Sequence, residues 1–341
     1  MNAKTGTRWT SDRTPLQEVI PLETPYLLFI DPSSVCNFRC KFCPCGGANK
    51  QFWSPEKRTS LLPYHLYRKI IDDLTEFPSP LKTLRLYKEG EPLINKRLPD
   101  MIHYARKRGV TQKIDFTTNG YLFERDTVLA IMDAGVDRIN ISVEALDEAG
   151  YEQISGVKMN YQEYLEKLRF LYQNRNGCHI FIKISDLGLR GHSEQEFYDK
   201  FGDICDEIAV EHVSSVWPEF KVDENLKSTS QLDIYGGAME QRDVVQVCPY
   251  LFYSLCVNSD GTVSACLMDW NHQLLIGDLN RQSLMEIWNG QKLREMRENH
   301  LMLQRGIYHT CQNCGQMEFA VLDNIDPYRE DLLEKLRKQG G

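Results

Sequence analysis

Ser34-Val-Cys-Asn-Phe-Arg-Cys-Lys-Phe-Cys-Pro44 carries three cysteines spaced Cys36-x3-Cys40-x2-Cys43. Three thiolates on one short loop can hold three irons of a cuboidal cluster and leave the fourth iron open to a small ligand. A zinc loop is the competing reading, but zinc sites usually recruit cysteines as Cys-x2-4-Cys pairs that complete a tetrahedron. This triplet has no fourth ligand at such a spacing. Cys45 follows with one intervening residue, a poor spacing for the same cluster, and reads as a neighbouring thiol.

Working outward, the loop follows a strand-like run, Tyr26-Leu-Leu-Phe-Ile30, and places Phe42 immediately before the third cysteine. Cys-x3-Cys-x2-Cys with an aromatic before its last cysteine resembles the signature of the radical S-adenosylmethionine (SAM) superfamily. The resemblance implies that Cys36, Cys40 and Cys43 hold a [4Fe-4S] cluster whose open iron chelates SAM. One electron then cleaves SAM to methionine and a 5'-deoxyadenosyl radical, which takes a hydrogen atom from the substrate.

At 341 residues the chain has room for one large domain and a smaller one. Its 42% hydrophobic and 26% charged residues are ordinary for a globular protein. A net charge of -8 argues against a general nucleic-acid binder. No apolar run approaches membrane-spanning length, and residues 1–13 are polar, so neither a membrane span nor a secretory signal is expected. The expected location is cytoplasmic, where eleven cysteines serve better as metal ligands and free thiols than as disulfides.

Alternation and capping signals predict strands over 26–30, 81–88, 113–118, 138–144, 180–187 and 207–213. Helices are predicted over 62–77, 97–108, 125–134, 161–174 and 193–201. Six strands alternating with helices imply an α/β fold with a parallel sheet of right-handed crossovers. That is too few for a complete eight-stranded barrel. A partial (β/α)6 TIM barrel is also what the radical SAM resemblance implies. Buried parallel strands normally read as continuous apolar runs, and these do not. Ile139, Ile141 and Val143 alternate with Arg138, Asn140, Ser142 and Glu144. Leu84 and Leu86 alternate with Thr83, Arg85, Tyr87 and Glu89, and the third and fifth strands repeat the split. If the apolar faces meet the helices, the polar faces line a hydrophilic cavity.

Barrel sites gather at the carboxyl ends of strands. After the second strand, Tyr87-Lys-Glu-Gly-Glu-Pro-Leu93 resembles the family's Gly-Gly-Glu-Pro motif, which binds the SAM amino group. The resemblance carries over Gly90, Glu91 and Pro92, with Glu89 standing where the first glycine would be. Thr117-Thr-Asn-Gly120 resembles a family sequence beside the nucleoside, which points to Thr117 and Asn119. Ser142-Val-Glu144 resembles the ribose-binding segment. Lys183 on the fifth strand is a candidate partner for the SAM carboxylate. Gly-Glu-Pro and Thr-Asn-Gly also serve as ordinary turns; order and strand-end placement give the set its weight.

Beyond Lys221 the rhythm stops. Cys248-x17-Cys266 contains two alternating runs around Ser259-Asp-Gly-Thr262, which reads as a β-hairpin. Trp288 follows on a helical stretch, and Cys311-x2-Cys314 comes later. Cys248, Cys266, Cys311 and Cys314 suit a fully ligated [4Fe-4S] cluster or structural zinc, and spacing leaves both open. The set resembles the SPASM and twitch extensions of radical SAM enzymes, which implies an auxiliary [4Fe-4S] cluster. A full SPASM pattern would add cysteines after Cys314, so the pattern resembles the shorter twitch type, as in 2-deoxy-scyllo-inosamine dehydrogenase. The expected division is an extension over 1–25 and the barrel over 26–220. A linker or cavity cover over 221–246 leads to the auxiliary β-hairpin plus helix domain over 247–325 and a solvated helical tail over 326–341.

Hydrogen-atom loss from a carbinol carbon, proton loss to a base and electron loss to a nearby cluster yield a ketone. A fully ligated cluster suits the electron's destination because it needs no open site. The leading expectation is therefore a dehydrogenase acting on a hydroxylated small molecule such as a sugar or aminocyclitol. Glu219, Asp186 and Asp269 are candidate proton acceptors, and a flavodoxin or ferredoxin is the expected electron donor. An epimerase using Cys256 as hydrogen-atom donor is the nearest rival, although Cys256 also reads as a small buried hydrophobe. Peptide maturation is a further alternative; only about 25 residues precede the first strand, short for the peptide-recognition domain such enzymes often carry. An iron-sulfur or zinc binding module is the non-enzymatic alternative. Cys178 and Cys205 read as core residues.

Overall fold

The computed structural model describes residues 3–5, 14–44, 60–218, 220, 245–320 and 322–339. Among the described residues ten strands make one sheet: β1 (Lys4–Thr5), β2 (Leu27–Ile30), β3 (Leu81–Arg85), β4 (Thr111–Thr118), β5 (Arg138–Val143), β6 (His179–Ser185), β7 (Glu207–Glu211), β8 (Ser254–Val257), β9 (Thr262–Ser264) and β10 (Leu275–Asp278). Their order is β1-β7-β6-β5-β4-β3-β2-β8-β9-β10. From β2 to β7 every neighbouring pair is parallel, with helices in the crossovers. The expected α/β fold with a parallel sheet core is therefore present.

The alternation in each strand is what sorts its two faces. Leu28, Ile30, Leu84, Ile114, Phe116, Ile139, Ile141, Val143, Ile182 and Ile184 are buried together against the helices. The helices answer with stripes of the right period, such as Tyr161, Tyr164, Leu165, Leu168 and Leu171 in Tyr161–Gln173. Truncating one such residue to Ala would cost about 2–5 kcal/mol, because a packed core closes poorly over a cavity.

The opposite face carries the polar residues in cross-strand pairs. Arg85 meets Asp115 at 3.3 Å, Arg138 meets Glu207 at 2.8 Å, and Lys183 meets Glu211 at 2.6 Å. Phe29, Phe181 and Cys256 also lie on this face, apart from the helix-packed core. The guanidiniums of Arg85 and Arg138 lie over the rings of Phe29 and Phe181. The inner face is thus polar with aromatic insets, more mixed than the strand patterns imply.

Several boundaries differ from expectation. β3 stops at Arg85 because the chain turns there into the loop that carries Lys88 to Glu91. β6 stops at Ser185, whose hydroxyl accepts the Gly188 N–H at 3.2 Å and caps a one-turn helix, Asp186–Leu189. A helix not anticipated from pattern, Glu148–Ser155, is capped by Asp147 and lies between β5 and the helix Tyr161–Gln173. The hairpin near residue 260 does not stand apart: β8 runs parallel to β2 in continuous register, and β9 and β10 extend the same sheet antiparallel. The tail helix Arg329–Gln339 buries Leu332 and Leu336, and packs on the helix Gln291–Leu301, so it is docked rather than merely solvated. Cys178 and Cys205 are core residues, as expected. Among the described residues no helix is long and apolar enough to cross a membrane.

Candidate active site and cluster pockets

The loop after β2 brings Cys36, Cys40 and Cys43 together. Arg39 N–H donates to Ser155 O at 2.8 Å and Lys41 N–H to Ile154 O at 3.0 Å, which fastens the loop to the helix after β5. Phe38 is buried beneath it against Tyr121 and Tyr151. Burial pushes the Cys36 thiol up to about 12, with the neighbouring Cys43 adding to the rise. Burial raises Cys40 further, with Glu144, Cys43 and Cys36 adding. Such thiols are poor free nucleophiles, whereas a coordinating metal deprotonates a thiol outright. The donor set therefore fits a cluster.

Gly90 places the next loop against this one. A Cβ at Gly90 would sit 2.2 Å from Ser33 O and 2.4 Å from Val35 O, so only glycine permits the approach. Glu91 N–H donates to Val35 O at 2.9 Å. Its carboxylate accepts from Leu93 N–H at 3.0 Å, Thr118 hydroxyl at 2.6 Å and Asn119 N–H at 2.8 Å. Pro92 opens the short turn Pro92–Ile94. Asn119 in turn donates to Asn37 Oδ1 at 2.8 Å, beside Cys36, while Asn37 Nδ2 is buried without a partner. Burial pushes the Glu91 carboxyl up to about 7 against these three hydrogen bonds. Glu91 is thus a strut joining three loops.

On the next strands, Ser142 lies opposite Lys183 in register, and Thr117 accepts from Asn140 at 3.3 Å. Glu144 is buried just past β5. Burial lifts its carboxyl to about 7, while the Lys183 charge and a hydrogen bond with Cys40 pull it down. Lys183 is already held by Glu211, a residue that sequence reading does not single out. Phe42 is half-buried and packs on the core.

The second group converges likewise. Burial pushes Cys248 and Cys311 up to about 12, with Cys314 adding in both cases. Cys266 is raised well above the usual thiol range by burial, with Cys248, Cys256 and Cys314 adding. Four thiols sharing a pocket suit a fully ligated cluster, whose irons take one thiolate each. Gly315 ties this pocket to the barrel mouth, since a Cβ there would lie 2.0 Å from Ser215 O, just beyond β7.

Between the two pockets runs a buried polar network. Lys88 Nζ donates to Glu89 Oε1 at 2.5 Å, Asn258 Oδ1 at 2.7 Å and Asp269 O at 3.1 Å. His272 Nε2 donates to Glu89 Oε1 at 2.8 Å, and Glu89 N–H donates to Asp31 Oδ1 at 3.3 Å. Burial would raise the Glu89 carboxyl, but Lys88 and then His272 outweigh it and hold it at about 2. Asp31 Oδ2 and His272 Nδ1 are buried without partners. Cys256 is fully buried beside this network, its thiol raised by burial and lowered by Lys88.

The candidate bases separate. Asp269 is fully buried, and its oxygens accept Gln273 N–H at 2.8 Å and Leu274 N–H at 3.0 Å, which commits it to a turn. Asp186 sits at the carboxyl end of β6, accepts Val213 N–H at 3.1 Å and pairs with His212 Nδ1 at 3.1 Å. Glu219, Cys45 and most of the expected 221–246 linker lie outside the described residues. The residues missed in sequence, namely Lys88, Asp31, Asn258, His272 and Glu211, had no signal beyond being single polar residues at strand ends or turns.

Comparison with known proteins adds two domain matches. The model of the Radical SAM superfamily matches residues 30–203, and that of an iron-sulfur cluster-binding domain, SPASM, matches residues 248–315. The tungsten-containing aldehyde ferredoxin oxidoreductase cofactor-modifying protein of Pyrococcus furiosus is 33% identical over 122 residues, 36% of this chain and 32% of that protein. The matches to such curated relatives span about a third of those proteins' length. The crystal structure of BtrN in complex with AdoMet and 2-DOIA superposes with a TM-score of 0.55 at 17% identity, covering 88% of this chain and 97% of that one. Streptococcus suis SuiB bound to precursor peptide SuiA gives a TM-score of 0.61 at 15% identity, covering 89% and 72%. At those identities the likeness is one of fold.

Proposed function

This chain belongs to the radical SAM superfamily, and from that membership we propose that it oxidises a secondary alcohol of a sugar- or aminocyclitol-type small molecule to a ketone. Its domains bring SAM, a [4Fe-4S] cluster and auxiliary iron-sulfur chemistry. When bound, these groups supply a carbon radical that takes one hydrogen atom from a C–H bond and a second centre able to accept one electron.

In this reading Cys36, Cys40 and Cys43 hold the first cluster. Gly90, Glu91 and Pro92, with Thr117, Asn119, Ser142, Glu144, Lys183 and Phe42, surround SAM. Cys248, Cys266, Cys311 and Cys314 hold the auxiliary cluster. The observation that carries the reading is the junction between the sites: β8 is in register with β2, and Gly315 presses on Ser215 at the barrel mouth. A four-thiol pocket fastened to the mouth puts an electron acceptor beside the substrate space. The paired polar residues of the inner face suit a ligand rich in hydroxyls, which they can orient by hydrogen bonds. Asp186 is the proposed proton acceptor, with Glu219 the other candidate. His212 beside Asp186 can share the proton once taken. One hydrogen atom, one proton and one electron then complete a two-electron oxidation. A reduced flavodoxin or ferredoxin is the proposed donor. The fold likeness to BtrN, solved with AdoMet and 2-DOIA, supports the substrate class.

Epimerisation is the second reading, favoured by Cys256 on the inner face opposite Phe29. The test is anaerobic reconstitution followed by SAM, dithionite and 2-deoxy-scyllo-inosamine or related sugars in deuterated water. Oxidation gives 5'-deoxyadenosine and a ketone two mass units lighter than the alcohol. Carbon-bound deuterium in a product of unchanged oxidation level, lost in Cys256→Ala, would establish epimerisation instead. Well-loaded protein that makes no 5'-deoxyadenosine would refute both.

A further inference from the structure

We propose that Arg305 is a positioning charge for the auxiliary centre: fixed beside Cys311, it raises the centre's reduction potential so that the substrate's last electron moves there. The inference rests on the proposed oxidation, in which the hydrogen atom leaves with the radical, the hydroxyl proton goes to a base, and one electron remains for the auxiliary site.

Arg305 opens the turn Arg305–Ile307, shortly before the helix His309–Gln312 that carries Cys311. Its Nη1 donates to Cys311 O at 2.7 Å, so the guanidinium is anchored to the backbone of a thiol-bearing residue. It also lies within electrostatic reach of Cys248 and Cys314, so its charge faces three of the four cysteines. Among the described residues no carboxylate neutralises it in an ion pair. A guanidinium stays protonated at any relevant pH, so the charge is permanent.

The surrounding groups offset it only in part. Asp269 acts in the opposite sense on Cys311, but less strongly than Arg305 does. Lys88, on the other side of the pocket, is compensated by Glu89. His300, stacked on Tyr308, is pushed down to about 4 by burial and by Arg305 itself, so at neutral pH it adds no charge. Arg305 is therefore a cation without an ion-pair partner among the described residues, anchored at Cys311, where its effect exceeds that of Asp269. A fully ligated four-thiolate centre is negative and gains one more negative charge on reduction, and a nearby cation stabilises that state. Half-burial of Arg305 leaves part of this effect after solvent screening.

The test is an anaerobic potentiometric titration of the reconstituted full chain, followed by electron paramagnetic resonance. Cys36, Cys40 and Cys43 are all changed to Ala so that the auxiliary centre alone is read, without SAM or substrate. Arg305→Gln keeps a donor for Cys311 O and removes the charge. It should lower the reduced-to-oxidised ratio at a given potential about tenfold, a midpoint shift of about 59 mV for one electron. Arg305→Lys should keep most of the wild-type midpoint. If Arg305→Gln fails to load iron, Arg305→His should load, with a midpoint that falls as pH rises through about 6.5. An unshifted midpoint in iron-replete Arg305→Gln, equal shifts in Gln and Lys variants, or a midpoint of Arg305→His no steeper in pH than that of Arg305→Lys would overturn the assignment alone. A triple-Ala protein with no reducible centre would overturn it together with the oxidation it rests on.

Discussion

Replacing Lys88 by Met tests whether the two pockets are joined by a single buried network. The Lys88 ammonium is fully buried, and Glu89, its partner at 2.5 Å, is only 3% exposed. Met keeps the length of the side chain and deletes the charge, while His272 Nε2 stays 2.8 Å from Glu89 Oε1. Breaking a buried pair from one side costs about 3–5 kcal/mol, because the other charge stays buried. The Glu89 carboxyl supplies a second route to that figure. It is held at about 2 against an ordinary 4.5, which corresponds to about 3 kcal/mol of linked stability. That stability is present above the unfolded carboxyl pKa and is lost as pH falls through the folded one, so pH 7 reads it in full. Lys88→Met should lose about 3 kcal/mol at pH 7, read as a lower urea midpoint at unchanged slope in the cluster-loaded protein. Lys88→Met/Glu89→Gln should be more stable than the single variant, since it no longer buries a carboxylate that has lost its ammonium partner. SAM affinity by equilibrium dialysis should fall in the single variant, because Gly90 and Glu91 follow directly on the network. A loss below about 1 kcal/mol, or a double variant whose cost is the sum of the singles, would refute a coupled network.

Gly90→Ala should weaken SAM binding tenfold or more in dialysis and cost about 1–3 kcal/mol in stability, because the added Cβ would meet backbone oxygens that cannot move aside cheaply. The Asp186 hydrogen bond raises His212 above its ordinary range. Its stabilisation should therefore be complete below about pH 6.5 and fade as pH rises through the raised value. His212→Gln should then destabilise the protein at pH 6 more than at pH 9, and equal losses at both would exclude the pair as a stabilising contact. Reconstituted wild-type protein should bind about eight irons and Cys311→Ala about four to five; four irons and one zinc in wild type would remove the auxiliary centre.

Much of the barrel and of the thiol sites was legible in sequence because its code is local. A period of two in Arg138 to Glu144 assigns faces whatever the partner strand, and Cys36-x3-Cys40-x2-Cys43 needs only one loop to gather its thiols. Loop ends were less legible. Nothing local says that β3 stops at Arg85; the stop follows from Gly90 meeting Ser33 and Val35 across the barrel mouth. The helix Glu148–Ser155 was hidden by Gly150, which breaks its apolar pattern. The tail Arg329–Gln339 reads as polar almost throughout, and only its packing shows that Leu332 and Leu336 dock it.

By itself, then, the sequence determined the two thiol sets, the strand and helix alternation and the order of the motifs at strand ends, since each depends on residues close in the chain. Only the tertiary structure decided how the two halves are joined. The register of β8 on β2 sets Asn258, Asp269 and His272 against Lys88 and Glu89, and the turn before Cys311 sets Arg305 against the auxiliary thiols. In sequence these are isolated polar and charged residues for which solvent is the ordinary expectation. In the fold they are buried or anchored beside a pocket, where water no longer screens them fully and their charge acts on the chemistry of both sites.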